Sequence, residues 1–182
     1  KEVIRAETEL HGNEHFRAID AGLRLKEIEF IAKMLPNERQ ELEQTINLSN
    51  LVVTMYRAEQ FKEALPLAQS VMGTCKRLLG EQHTLFVSSL NNLAAIYEKT
   101  GDYGQAEPML ERAADVTKIV LGEGLPSYAQ KLDQLARFYV ERRGDYLQAE
   151  PIMVVALRVQ KHVYGEQHPE YAVALGHLAK VY

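Results

Sequence analysis

Apolar residues recur along this chain with a helical period. In LFVSSLNNLAAIYEKTGDYGQAEPMLERAADVTKIVLG, Leu90, Leu93, Ala94 and Tyr97 fall at i, i+3, i+4 and i+7. That spacing gives a helix one apolar face and leaves the remainder polar. TGDYGQ interrupts the stripe. Gly101 suits a C-terminal cap with positive φ, and Asp102 stands three residues before Gln105, the spacing of a capping box. A second stripe follows, Ala106, Leu110, Ala113, Val116, Val120 and Leu121, and Gly122 ends it. Pro126, and Pro169 one copy later, suit the first turn of the next helix, where a missing N–H costs nothing. The pattern predicts pairs of helices joined by short turns.

The pairs repeat. Gly80, Gly122 and Gly165 are 42 and 43 residues apart, and Ala64, Ala106, Ala149 and Pro66, Pro108, Pro151 keep the same spacings. Leu48, Leu90, Leu132, Leu175 and Leu51, Leu93, Leu135, Leu178 follow with 42, 42 and 43. Tyr97, Tyr139 and Tyr182 share one position, where the first copy has Met55. The one extra residue lies in ERRGDY, and a turn between helices is its expected place. Pro66, Pro108 and Pro151 fall in the second turn of the second helix, so a bend or a loose first turn is expected there. A helix pair with one apolar face cannot bury it alone. Stacked neighbours can, so the fold class expected is all-α, a right-handed α-solenoid of stacked antiparallel helix pairs. Ala94, Ala106, Ala113 and their equivalents would let the helices approach closely.

This register divides the chain into residues 43–84, 85–126 and 127–169, three full repeats, and 170–182, the first helix of an incomplete fourth. Residues 1–42 fit it poorly. There EHFRAIDAGLRLKEIEFIAKML reads as one long helix, a degenerate second helix or a packing cap, with turns at Gly12–Asn13 and Pro36–Asn37. Because the second helix of the fourth copy is missing, an apolar face is expected to lie open at the C-terminal end.

Composition narrows the function. The net charge of −4 supplies no basic footprint for nucleic acid or an anionic membrane. No apolar run is long enough to span a bilayer. There is no signal-peptide pattern and no initiator Met, so the chain is expected to begin within a longer protein or to have been trimmed. The single cysteine, Cys75, forms no internal disulfide and fits a reducing, cytoplasmic setting. Lys76 and Arg77 beside it could lower its pKa, but no nucleophile–base–oxyanion pattern accompanies it, and a packing role is favoured. GEQH occurs at Gly80–His83 and again at Gly165–His168. A metal would need three or four converging ligands, and these histidines stand two repeats apart. Capping or packing at the joint is therefore expected, all the more because the middle copy has Leu125 instead. His11, His15, His162 and His177 show no ligand spacing either. No metal, no cofactor and no enzymatic activity are expected. Glu141–Arg143 reads as a solvated helix end.

LNNLAAIYEKTGDYGQAEPMLERA, GEQHTLFVSSL and GEQHPEYAVALGHLAKVY resemble tetratricopeptide repeats, specifically the 42-residue kind of kinesin light chains and nephrocystin-like bacterial arrays. The resemblance spans about residues 43–182. The first copy departs, since AEQFKEALP lacks the Gly-Asp turn. The resemblance implies a protein-interaction scaffold whose first helices line a concave surface. Opposite the Leu–Ala–Tyr stripe that surface carries Ser49, Asn50 and Val53, then Ser88, Asn91, Asn92 and Ala95. Gln130, Asp133, Gln134 and Arg137 follow, then Val173, Gly176, His177 and Lys180. The expected peptide-binding residues are Asn50, Asn91, Asn92, Gln134, Arg137, His177 and Lys180. Asn and Gln offer donor and acceptor to a peptide backbone; Arg137 and Lys180 suit an acidic partner, as the resemblance to kinesin light chains also implies. The alternative is a regulatory segment of a larger effector, gating a caspase-like (CHAT) protease or a nucleotide-binding switch domain outside these residues. Self-association through the open C-terminal face is a third reading. RNA reading by helical repeats lacks a base code and a basic surface here.

Overall fold

The computed structural model describes residues 16–181. The turn expected at Gly12–Asn13, and Tyr182, lie outside them. The chain forms two compact units, residues 1–41 and 42–182. In the first, helix α1 (Phe16–Lys33) carries most of the stretch expected as one long helix, although Ile28 and Leu35 are largely exposed. Glu38 accepts a hydrogen bond from the Leu35 amide, 2.8 Å, and Arg39 donates to the carbonyls of Met34 and Ala32. Arg39 thus serves carbonyls at the C-terminal end of α1, and Glu38 serves an amide just ahead of its own helix, the one that follows.

Helix α2 (Pro36–Arg57) opens on proline at its first position. It is followed by α3 (Phe61–Leu79), α4 (Thr84–Thr100), α5 (Tyr103–Leu121), α6 (Pro126–Phe138), α7 (Tyr146–Tyr164) and α8 (Pro169–Ala179). In the unit of residues 42–182 successive helices from α3 onward pack on one another. No strand occurs among the described residues. The unit is an all-α repeat array.

Small residues set the spacing of these helices. Ala64, Ala94, Ala106, Ala136 and Ala149 are each 0% exposed, and Leu93, Leu110, Leu135 and Met153 fill the space beside them. A core this dense resists added methylenes, which typically cost 1–3 kcal/mol each site. Two further clusters continue the same interior. One joins Val71, Cys75, Phe86 and Leu90 to Ala113 and Val116; the other joins Ala114, Tyr128, Ala129 and Leu132 to Ala156 and Val159. Leu175 is the fourth of the leucine series yet 42% exposed, against 2% for Leu90. Among the described residues no second helix covers it.

The turn inside each pair is built as the spacing predicts. Gly101 is left-handed at φ 80°, and the Asp102 amide donates to the Tyr97 carbonyl, 2.9 Å. The Asp102 and Asp145 carboxylates accept from the Gln105 and Gln148 amides. The first copy makes the same turn without glycine. Glu59 takes the left-handed conformation at φ 59°, and Gln60 donates to Met55 at 2.9 Å. Packing on either side holds a residue there that pays roughly 1 kcal/mol for its backbone.

The prolines do not interrupt their helices, and one expectation needs correction. Pro66, Pro108 and Pro151 sit inside continuous α3, α5 and α7. All three are exposed, so water can serve the carbonyl that each leaves without a donor. Nor does the extra residue of the third copy fall in the turn. It is taken up in the helix as a π-helical turn, Tyr139–Arg143, before left-handed Gly144. The Asp145 amide still reaches the Tyr139 carbonyl, 2.9 Å, now across six residues where Asp102 and Tyr97 span five. A π-turn is a helix with one residue inserted, and here it lets Tyr139 and Asp145 keep their repeat positions.

Deleting Glu141, which is exposed, should convert the π-turn to an ordinary helix end. Thermal unfolding followed by circular dichroism should then shift by less than about 1 kcal/mol equivalent. Deleting Gln134 instead should unfold the array, because every inward residue after it rotates by about 100°.

Candidate functional site

The joints between repeats come first, because they fix where each first helix begins. His83 precedes α4 in extended conformation, and its Nδ1 accepts from the Leu85 amide, 3.1 Å. His168 repeats this with the Glu170 amide, 3.2 Å, while its ring stacks on Tyr164. Leu125, in the copy without histidine, is buried and makes no side-chain cap. So the histidine is a cap where present, and burial alone suffices where it is not. No group of three or more His, Cys, Asp or Glu among the described residues could hold a metal ion.

A lysine ladder that the periodicity did not single out also braces the joints. Lys76 pairs with Glu81 at 2.5 Å, Lys118 with Glu123 at 2.7 Å, and Lys161 with Glu166. Arg112 adds a second cation to Glu81. Hydrogen bonds from Lys76 and Arg112 hold the Glu81 carboxyl below the usual carboxylate range. These pairs are exposed, so they position the joint more than they stabilise it.

Tyr97 and Tyr139, at one position in the second and third copies, each reach the preceding second helix. Gln69 Nε2 donates to Tyr97 Oη, 3.0 Å, and Tyr139 Oη lies 3.0 Å from Glu111 and 3.1 Å from Glu107. Burial, then the Glu111 carboxylate, pushes the Tyr139 phenol well above its ordinary value. The π-turn brings Arg143 to Glu107, 3.4 Å, and Arg142 to Glu98, 3.3 Å. The segment expected as a solvated helix end is therefore tied to the repeat before it.

Cys75 is buried, and burial pushes its thiol up. The favoured packing role fits this burial: the neighbouring Lys76 and Arg77 side chains are exposed, and Lys76 is engaged by Glu81.

The first-helix face is where the expected site residues fall. Asn50 is exposed on α2, and no side-chain hydrogen bond ties its amide down among the described residues. Asn92 on α4 is half-buried and equally untied. Asn91 differs: its Nδ2 donates to the Val87 carbonyl, 2.9 Å, within its own helix. Gln134 is half-buried on α6. Arg137 and His177 are brought together by a residue outside the expected set. Asp133 is 3.2 Å from Arg137 Nε through one oxygen and 2.6 Å from His177 Nδ1 through the other. Lys180 is exposed at the end of α8.

Two cavities open between α2 and α4. One, about 140 Å³, is lined by Val52, Val53, Tyr56, Asn92 and Ala95. The other, about 100 Å³, is lined by Ile46, Ser49, Asn50 and Ser88, with Thr45, Val71, Cys75 and Leu85 behind. Ser49, Val53, Ser88 and Ala95 were legible as members of the face. Tyr56 and Ile46 were not, since they belong to neither the inward stripe nor the polar rows.

The tetratricopeptide-repeat family pattern matches residues 43–119 and again residues 129–170. The chain belongs to the tetratricopeptide-repeat proteins. Within them its fold is that of the kinesin-light-chain kind. It superposes on a structure of nearly identical TPR-like repeats described as a kinesin light chain of Podosopora anserina, with a TM-score of 0.71 at 21% identity, over 100% of this chain and 82% of that one. BtubC (BKLC) from P. vanneervenii gives 0.70 at 19% identity, over 100% and 79%. No curated protein matches the chain in sequence. No helix among the described residues is long and apolar enough to cross a membrane.

Two measurements check the joint and the thiol. His83→Ala should cost about 1 kcal/mol in chemical denaturation, the scale of a lost cap, and added zinc or chelator should leave both proteins' midpoints unchanged. Alkylation of Cys75 by iodoacetamide at pH 8 should run far slower in the folded chain than in urea; equal rates would mean an accessible thiolate.

Proposed function

We propose that this chain is a non-catalytic scaffold that binds an extended segment of a protein partner along the face of its first helices. Tetratricopeptide repeats generally bind proteins, and that much follows from the family. The assignment to this face rests on one observation. Asn50 and Asn92 occupy the same position in successive repeats, each lines a cavity between α2 and α4, and neither amide is tied down among the described residues. Such amides pair with the N–H and C=O of a chain that has no internal hydrogen bonds of its own. Rigid helices hold them at fixed separation, which reduces the ordering cost of binding.

The double change Asn50→Ala with Asn92→Ala tests this, with the partner first captured by affinity purification and its binding segment mapped. Each lost hydrogen bond is worth about 1 kcal/mol, so affinity should fall roughly tenfold or more. Helicity and the unfolding midpoint should stay within error. Unchanged affinity would place the partner on another face.

A further inference from the structure

The two cavities between α2 and α4 say what kind of segment fits, given the groove reading above. No charged residue lines either of them. Of the two cations expected to attract an acidic partner, Arg137 already faces Asp133, and Lys180 stands exposed at the end of α8; neither lines the cavities between α2 and α4. An acidic segment would find no partner in the groove, and a carboxylate moved into either cavity would lose its water without compensation.

Volume limits the side chains. A cavity of about 150 Å³ accepts a benzene ring, and the larger one here is about 140 Å³, with Val52, Val53 and Ala95 as walls and Tyr56 at one side. That accommodates one six-membered ring. The smaller, about 100 Å³, accommodates an aliphatic side chain against Ile46 and Leu85. Their separation limits the backbone. The residues lining the two cavities are centred roughly six positions apart on α2 and seven on α4, which is about 10 Å along either helix. A polyproline II segment returns to the same face every third residue after about 9 Å. A β-strand puts residues i and i+3 on opposite faces. A helical ligand could span the distance, but its backbone groups are already paired and would leave Asn50 and Asn92 unanswered.

We propose that the groove between α2 and α4 takes a neutral, polyproline-II-like segment with a single-ring aromatic residue in the Val52–Val53–Tyr56–Asn92–Ala95 cavity and an aliphatic residue three positions away in the Ile46–Ser49–Asn50–Ser88 cavity. Asn92 and Asn50 each meet the ligand backbone beside one anchor. The inference rests on the groove reading and adds the ligand's chemistry to it.

Panning short random phage-displayed peptides against the whole chain tests it, followed by calorimetric titration of the enriched peptides. The expected consensus is an aromatic and an aliphatic residue three apart, without acidic enrichment. Replacing the aromatic by alanine in the peptide should weaken binding about tenfold or more, and so should Ala95→Leu, which fills the larger cavity. Replacing any acidic residue of the peptide by its amide should change affinity less than about twofold. The alanine peptide keeps the test valid even if Ala95→Leu disturbs folding. An acidic consensus indifferent to Ala95→Leu but weakened by Asn50→Ala with Asn92→Ala overturns this inference and leaves the groove standing. Peptides indifferent to all of these protein changes, or no enrichment at all, overturn both.

Discussion

Everything in the unit of residues 42–182 depends on how closely its helices approach. Ala64, Ala94, Ala106, Ala136 and Ala149 have no exposed surface, so their methyl groups are wholly enclosed by the surrounding side chains and helices. Close approach lets leucines from neighbouring helices interdigitate at the density of a crystal. It also fixes how far a tyrosine on a first helix can reach. Tyr97 and Tyr139 bury their rings beside the alanines and place their hydroxyls on Gln69 and on Glu111 of the preceding second helix. The apolar contact and the polar one are a single geometric event.

Because each repeat is locked to its neighbours this way, an insertion cannot simply be lost in solvent. The third copy carries one residue too many between two positions that the packing holds fixed, Tyr139 and Asp145. A longer turn would have moved the Asp145 amide away from the Tyr139 carbonyl to which it donates. Widening the last turn of the helix keeps both ends in place and swings Arg142 and Arg143 toward Glu98 and Glu107. The joints between repeats are held more lightly. A caps-and-charges arrangement of His83 or His168 with the Lys–Gly–Glu pairs repeats there, and the middle joint does without the histidine because Leu125 is buried in its place.

The same rigidity gives the first-helix face its chemistry. A side chain on a packed helix cannot wander, so the amides of Asn50 and Asn92 and the cavities beside them stay where the core puts them. Charge on this face is largely settled internally. Asp133 satisfies Arg137 and His177 from two adjacent first helices, and thereby also joins α6 to α8. A face read as a row of independent polar residues is in part a network, and its cavities lie between α2 and α4.

The sequence by itself determined the helix pairs, their register, the glycine and aspartate turns, the proline starts and the family. Those features are local, or periodic at a fixed spacing, and a helical period or a cap needs only neighbours in the chain. It also determined which residues share the first-helix face, since that follows from 3.6 residues per turn. Tertiary structure alone decided the rest. The π-turn arose because both ends of the insertion were already committed to packing. Glu59 adopts a glycine's conformation because its neighbours hold it there. The burial of Cys75 outweighs the charges beside it in sequence. Asp133, Tyr56 and Ile46 acquired their roles from residues a repeat away. Each of these depends on contacts between segments some forty residues apart, and no spacing rule within one helix encodes what the next helix will place against it.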